Sequence, residues 1–335
     1  MILLFYSYSP QLFIDTKEVL FMLIALYVLL ALLAAVAVFT LLVAWKVSGM
    51  ILYPRVFAYD TVIDEEVKRG SFTRAWFDAN VHLEDFTLRS GFGYDLHCAL
   101  WPREEAASFP DGLLRVAVLA HGFSYCLLGQ IKYAALFHAL GFDCVLCDHR
   151  NHGLSGRAPT TMGICEAEDL ATVCAWARAR FGADALLGTH GESMGAATVM
   201  LHASQDARLA FAVEDCGFSD FYSLMRYVLP HRYHLPALPV LPIASLFSRL
   251  RGGVSFRNIR PVEALKRCAL VPMLFIHGDA DELIPAGMMQ ACYSAKPGAK
   301  AKWLVQGAPH AGSWHTDTDE YRNHLERFLS QHGIL

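Results

Sequence analysis

Residues 19–45 form a run of 27 side chains without a single charge, and no other stretch limits the fold so severely. A helix needs about 20 apolar residues to cross the hydrocarbon of a bilayer, so this run is long enough to cross with some tilt. Inside lipid every backbone polar group must pair within the chain, which leaves a helix as the only form for a lone segment. Lys17 and Glu18 bound the run on one side and Lys46 on the other, and Tyr27 and Trp45 suit the interface. A core helix of this length would carry a polar stripe. A cleaved signal peptide would be shorter, with a basic start and a small-residue cleavage site, none of which stands here. We therefore expect one transmembrane helix at 19–45, after a tail at 1–18; a start at Met22 would keep it. Lys46 and Arg55 follow the run and only Lys17 precedes it, which favours a single-pass protein with its C-terminal domain in the cytoplasm.

The thiols agree with that placement. Nine cysteines are scattered through 335 residues without a repeating interval, unlike a secreted disulfide framework. Cys144 and Cys147 make a C-x-x-C, but inside an apolar run, 142–147, that reads as a buried strand where cysteine acts as a small hydrophobe. A formal net charge of -4, with no patterned basic fold, argues against nucleic acid as a partner.

Beyond residue 45, positions 46–80 read as a juxtamembrane connector with a charged stretch at 64–69, and a globular domain is expected at 81–335. Two strands, 86–89 and 94–101, flank a turn at 90–93. Continuous apolar strands follow at 114–120, 142–147, 185–189, 210–214, 272–277 and 301–305. Helical spacing lies between them at 127–140, 167–181, 194–204 and 286–295, and again at 319–331. Short buried strands alternating with helices predict an α/β fold, a mostly parallel central sheet flanked by helices and opened by an antiparallel hairpin. Ligands of such sheets bind beyond the carboxyl ends of the strands.

Chemistry gathers at those ends. After the strand at 185–189 stands Gly191-Glu192-Ser193-Met194-Gly195, a G-x-S-x-G at a strand-to-helix turn. Such a turn exposes the central serine, and the glycines remove side chains that would strike neighbouring backbone. The helix N-terminus beyond it offers amide donors and the positive end of a dipole. Serine needs a base and an acid to orient that base. The strand at 272–277 runs into a loop containing Asp281, and the strand at 301–305 into Gly307-Ala308-Pro309-His310. The order Ser…Asp…His is that of one hydrolase architecture. Ser193 is thus the expected nucleophile, His310 the base and Asp281 its orienting acid, with His315 as the fallback for the base. An oxyanion needs preorganised amides: the N–H of Met194, and that of Phe123 in the loop His121-Gly122-Phe123, where His121 could serve only to pack the loop.

Four blocks in order carry a family resemblance: His121-Gly122-Phe123; Asp148-His149-Arg150-Asn151-His152-Gly153-Leu154-Ser155; His190-Gly191-Glu192-Ser193-Met194-Gly195; and His277 to Pro285. From about residue 81 onward the chain resembles the α/β-hydrolase superfamily, particularly its serine aminopeptidase-like and monoacylglycerol-lipase-like branch. The resemblance implies Asp281, rather than Asp279 or Glu282, as the acid. It implies structural roles for Asp148, Arg150 and His152, and neither metal nor organic cofactor. It also makes the interval at about 217–260 a cap over the site. Four prolines there (230, 236, 239 and 242) exclude one long helix. The cap holds six arginines against one acid, Asp220. Those arginines either pair with acids elsewhere or meet an anionic membrane surface, where each contributes about 1 kcal/mol.

The expected activity is hydrolysis of a carboxylic ester or related acyl bond by a membrane-anchored serine hydrolase. An amidase or aminopeptidase would use the same three residues, and a catalytically idle scaffold used for binding is the non-enzymatic alternative.

Overall fold

A computed structural model describes residues 16–104 and 109–335; most of the expected tail at 1–18 lies outside them. The uncharged run belongs to a longer helix, α1 (Thr16–Leu52), of 37 residues. Residues 16–39 are exposed throughout. The last turns are not: Ala44, Val47, Ser48 and Leu52 are buried against the rest of the chain.

The expected connector is a correction. Residues 46–52 continue α1, and two further helices follow, α2 (Tyr59–Lys68) and α3 (Arg74–Asn80). α2 is amphipathic, and its buried face is Val62, Ile63 and Glu66. Val62 and Ile63 join the main core cluster, with Phe72, Trp76 and Phe77 packed at its edge. The globular body therefore begins near residue 59, not at 81.

The sheet has eight strands: β1 (Glu84–Arg89), β2 (Asp95–Trp101), β3 (Arg115–Ala120), β4 (Asp143–Cys147), β5 (Leu186–Glu192), β6 (Phe211–Asp215), β7 (Met273–Gly278) and β8 (Lys300–Val305). Their order is β1-β2-β4-β3-β5-β6-β7-β8. β2 pairs antiparallel with both β1 and β4, and every other pairing is parallel. This is the expected architecture. Strands β3, β4, β6 and β7 are buried along their whole length because helices cover both faces.

On one face, Ala117 and Leu119 share a core cluster with residues of α4 (Ile131–Ala139), α12 (Thr318–Gln331) and α2. On the other, Val116, Val118 and Ala120 share a cluster with residues of α5 (Ile164–Phe181), α6 (Met194–Ala203) and α10 (Gly287–Ala295). Cys144 and Cys147 fall on opposite faces of β4 and belong to different clusters. All nine cysteines are free thiols.

The cap is two helices, α7 (Phe221–Tyr233) and α8 (Ala237–Gly252), followed by a short 3₁₀ turn and α9 (Pro261–Leu265). α8 runs against the end of α1. Trp45 packs edge-on to Phe247 with ring centroids 5.3 Å apart. Arg251 lies 3.9 Å above the Trp45 ring and donates to Ser48 Oγ at 2.7 Å and to the Trp45 carbonyl at 3.1 Å. The cap core, with Phe218, Phe221 and Leu241, includes Ala44 and Val47 of α1 and also Met194. A short helix, α11 (Ser313–Thr316), lies between β8 and α12.

Candidate active site

β5 ends in Glu192, and α6 begins at Met194; Ser193 is the hinge between them. Its backbone sits at φ 57°, ψ -111°, a region a side chain enters only when its surroundings dictate it. The two glycines make that possible. A Cβ on Gly191 would lie 2.2 Å from the Gly195 carbonyl oxygen, and one on Gly195 would lie 2.0 Å from that of Ala120. The Ser193 N–H is fixed by the Asp215 carbonyl at 2.8 Å, so β6 holds the turn from the side.

The loops after β7 and β8 bring the other two residues to this serine. Ser193 Oγ lies 2.9 Å from His310 Nε2, and His310 Nδ1 lies 2.8 Å from Asp281 Oδ2. Asp281 is buried. Its other oxygen accepts from the Leu283 and Ile284 amides at 2.9 and 2.8 Å. Burial pushes its carboxyl up, but the bonds from His277 and His310 and the Ile284 amide outweigh that and hold it well below the usual carboxylate range. Asp281 is thus an anion at neutral pH, suited to steady an imidazolium. His277 stands 3.2 Å from the same Oδ2; it is a second partner that the sequence reading missed, although it opens the block that contains Asp281. Asp279 is exposed and accepts from the Gly307 amide at 2.6 Å, tying the two loops together. Glu282 is exposed. His315 lies in α11. Burial, with Arg69 and Lys132 nearby, lowers it to about 4, and it is His310 that bonds Ser193.

Of the two expected oxyanion donors, Met194 follows the serine directly and Phe123 follows a glycine that lies beside it. Met194 is the first residue of α6. Gly122, just before Phe123, is so close that a Cβ on it would touch Ser193 Cβ at 3.6 Å. His121 shapes that loop. Its Nε2 accepts the His149 amide at 2.9 Å, which leaves Nδ1 to donate to the Gly122 carbonyl at 2.7 Å. Burial holds this imidazole neutral, well below its ordinary value, with His149 and His152 adding to the effect.

Asp148 gathers the surrounding loops, accepting from the Leu127 and Leu154 amides at 2.8 and 2.9 Å and from the Tyr59 hydroxyl. Arg150 pairs with buried Asp169 at 3.1 Å, and His152 Nε2 accepts the Ser124 amide at 3.1 Å. None of the three bonds Ser193 or His310.

Buried behind the serine is a group of charges that nothing in the sequence announced. Glu192 Oε2 lies 3.1 Å from Lys132 Nζ, and Lys132 also meets Glu66 at 3.3 Å. The Tyr133 hydroxyl donates to Glu192 at 2.7 Å and lies 3.2 Å from Asp215. Burial pushes the Glu192 carboxyl up, but Lys132, Tyr133 and Arg69 draw it down to about 2. Asp215 goes the other way: burial, and Glu192 beside it, raise it to about 6. No group of side chains suited to hold a metal ion occurs among the described residues.

The sheet order, the serine at the end of β5 and the loops after β7 and β8 define a class: the chain belongs to the α/β-hydrolase fold family. A sequence model of the alpha/beta hydrolase fold matches residues 117–215. The chain is 32% identical over 287 residues to the uncharacterized protein YqkD of Bacillus subtilis, covering 84% of this chain and 90% of that one. It is 27% identical over 207 residues to the uncharacterized protein Rv2307c of Mycobacterium tuberculosis, covering 62% and 66% of the two chains. Among solved structures it resembles the esterase Pf2001 of Pyrococcus furiosus, with a TM-score of 0.64, 19% identity, and 84% and 97% of the chains covered. Est1E of Butyrivibrio proteoclasticus, solved with ferulic acid bound, gives 0.61 at 16% identity, covering 75% and 100%. At such identities the likeness is one of fold.

Proposed function

We propose that the protein is a membrane-anchored serine hydrolase that cleaves a carboxylic ester or a related acyl bond. The observation that carries this reading is the relay Ser193–His310–Asp281, with hydrogen bonds of 2.9 and 2.8 Å. In that reading His310 takes the hydroxyl proton as Ser193 attacks the carbonyl, and then returns it to the leaving group. Asp281 holds the imidazole and steadies its charge. The Met194 and Phe123 amides receive the oxyanion. Water then hydrolyses the acyl-enzyme, with His310 as base. The geometry would serve an amide equally well; esters are favoured because Pf2001 is named an esterase.

The anchor rests on α1, whose residues 19–39 stay exposed among the described residues. The positive residues that follow it favour a cytoplasmic domain. Beside α1 the cap exposes Leu238, Leu246 and Leu250, and a cleft of about 450 Å³ opens between α1 and α7, lined mostly by aliphatic side chains and methionine. These features support a cap that rests on the bilayer and takes acyl substrates from it. The cap arginines divide. Arg251 is engaged with α1, Arg260 with Asp220 and Glu263, and Arg257 with Tyr222. Arg226, Arg232 and Arg249 are exposed on α7 and α8, and in this reading they are the ones that meet anionic headgroups.

The test is labelling by a fluorophosphonate probe together with turnover of short nitrophenyl esters. Ser193→Ala should abolish labelling and cut turnover by about a thousandfold or more, while leaving the protein folded. Asp281→Asn should be far more damaging than Asp279→Asn. An unlabelled wild type would favour a scaffold used only for binding, and a Ser193→Ala protein with wild-type turnover would remove the nucleophile.

A further inference from the structure

Four charged side chains meet behind the site: Glu66 and Arg69 from the end of α2, Lys132 from α4, and Glu192 from the serine turn. Lys132 lies 3.3 Å from Glu66 and 3.1 Å from Glu192. Arg69 lies 3.7 Å from Glu66. Glu66 and Lys132 are wholly buried, and Glu192 nearly so. The two cations balance the two anions. Buried ion pairs of this kind are poor sources of stability, since well-packed apolar side chains often serve as well or better. A stabilising role alone leaves their presence unexplained.

Their backbone attachments supply a reason. Glu192 is the residue before Ser193. Arg69 donates through Nη2 to the carbonyl of Ala311, the residue after His310. Ala311 has a positive φ of 51°, a left-handed backbone that alanine adopts only under constraint. The chain of contacts thus runs from the peptide beside His310, through Arg69, Glu66, Lys132 and Glu192, to the peptide beside Ser193. A second route runs from Glu192 through Tyr133 to Asp215, which receives the Ser193 amide and the Ser313 hydroxyl. Ser193 and His310 come from loops 117 residues apart, and their separation must be held to a fraction of an ångström for proton transfer. A misplacement of about 1 Å can cost about a hundredfold in rate.

We infer that Arg69, with Glu66 as its fixed counter-charge, is a positioning residue that sets the separation of Ser193 and His310. The inference rests on the serine-hydrolase reading above. It makes α2, the helix that follows the membrane-crossing one, a working part of the site.

Full-length protein in detergent micelles tests it, through kcat and KM on a soluble nitrophenyl ester, the rate of fluorophosphonate labelling, and thermal unfolding. Three variants are needed: Arg69→Met, the charge-balanced double Arg69→Met/Glu66→Gln, and Arg69→Lys. Arg69→Met should lower kcat about tenfold to a hundredfold, with KM within about twofold of wild type, and slow labelling in step with kcat. It should also melt earlier, because it leaves an unbalanced buried carboxylate. The double variant should recover most of the melting midpoint and none of the lost kcat. Arg69→Lys keeps the charge but has one donor head in place of a fork; it should melt near wild type and still lose several-fold in kcat. A double variant or a lysine variant with wild-type kcat overturns the inference. So does a kcat that recovers together with the melting midpoint, which would make the group purely structural. A wild type that neither turns over nor labels sinks the Ser193 reading itself, and is seen before any variant is made.

Discussion

Two of the described helices, α6 and α1, lack a polar face and meet opposite fates. α6 buries all ten of its residues; α1 exposes every residue from 16 to 39. Periodicity cannot tell them apart, because neither has any. Side-chain size and company do. The first turn of α6 holds Gly195, Ala196 and Ala197, which let its backbone close on the sheet until Gly195 touches Ala120. α1 carries leucine, valine and phenylalanine all round, at a length suited to about 30 Å of hydrocarbon. An apolar surface needs a partner. For α6 it is in the fold, whereas residues 19–39 of α1 stay exposed among the described residues. At Ala44 the same helix changes allegiance, and its last turns dock on the cap.

That contrast can be broken most severely from the α6 side. Gly195→Val puts a side chain into the backbone of Ala120, where nothing flexible can yield. The cost should reach or pass the top of the ~1–3 kcal/mol usual for overpacked cores. We expect no cooperative thermal transition and no probe labelling; a folded, labelled Gly195→Val protein would mean α6 does not pack as described. The α1 side should respond differently. Leu33→Arg places a charge at mid-helix, at a cost of about 2.5–3.5 kcal/mol to insertion. The membrane-bound fraction resistant to carbonate extraction should fall while the labelling rate of the remaining folded protein stays unchanged. If labelling collapses instead, the helix packs against the body. The smallest effect should come where α1 changes partners. Arg251→Ala removes the cation over Trp45 and its bonds to α1, worth about 1 kcal/mol. A drop of a few degrees in the melting midpoint is expected, and no drop would mean that the cap and the anchor are not coupled there.

What the sequence made legible was local. The strands announced themselves as short apolar runs, the turn at Ser193 by its glycines, and Asp281 and His310 by their places after β7 and β8. The misreadings share one cause. Residues 64–69 looked like a solvated connector because five of the six are charged, yet Glu66 is buried by a lysine 66 positions away. That lysine sat unremarked in a stretch chosen for its apolar spacing. A charge paired across the fold leaves no periodic trace in the chain. The prolines act as the sequence reading expects: no single helix spans the cap, which breaks between α7 and α8 with Pro236 capping the second.

The backbone at Ser193 has one more consequence. A residue held at φ 57°, ψ -111° costs about 1–3 kcal/mol, and no packing role repays it, since glycine would adopt the same angles freely. The turn is therefore a place where fitness and durability pull apart. Ser193→Gly should yield a sturdier, chemically silent protein. On the serine-hydrolase reading, a serine kept here at that cost serves the reaction and not the fold.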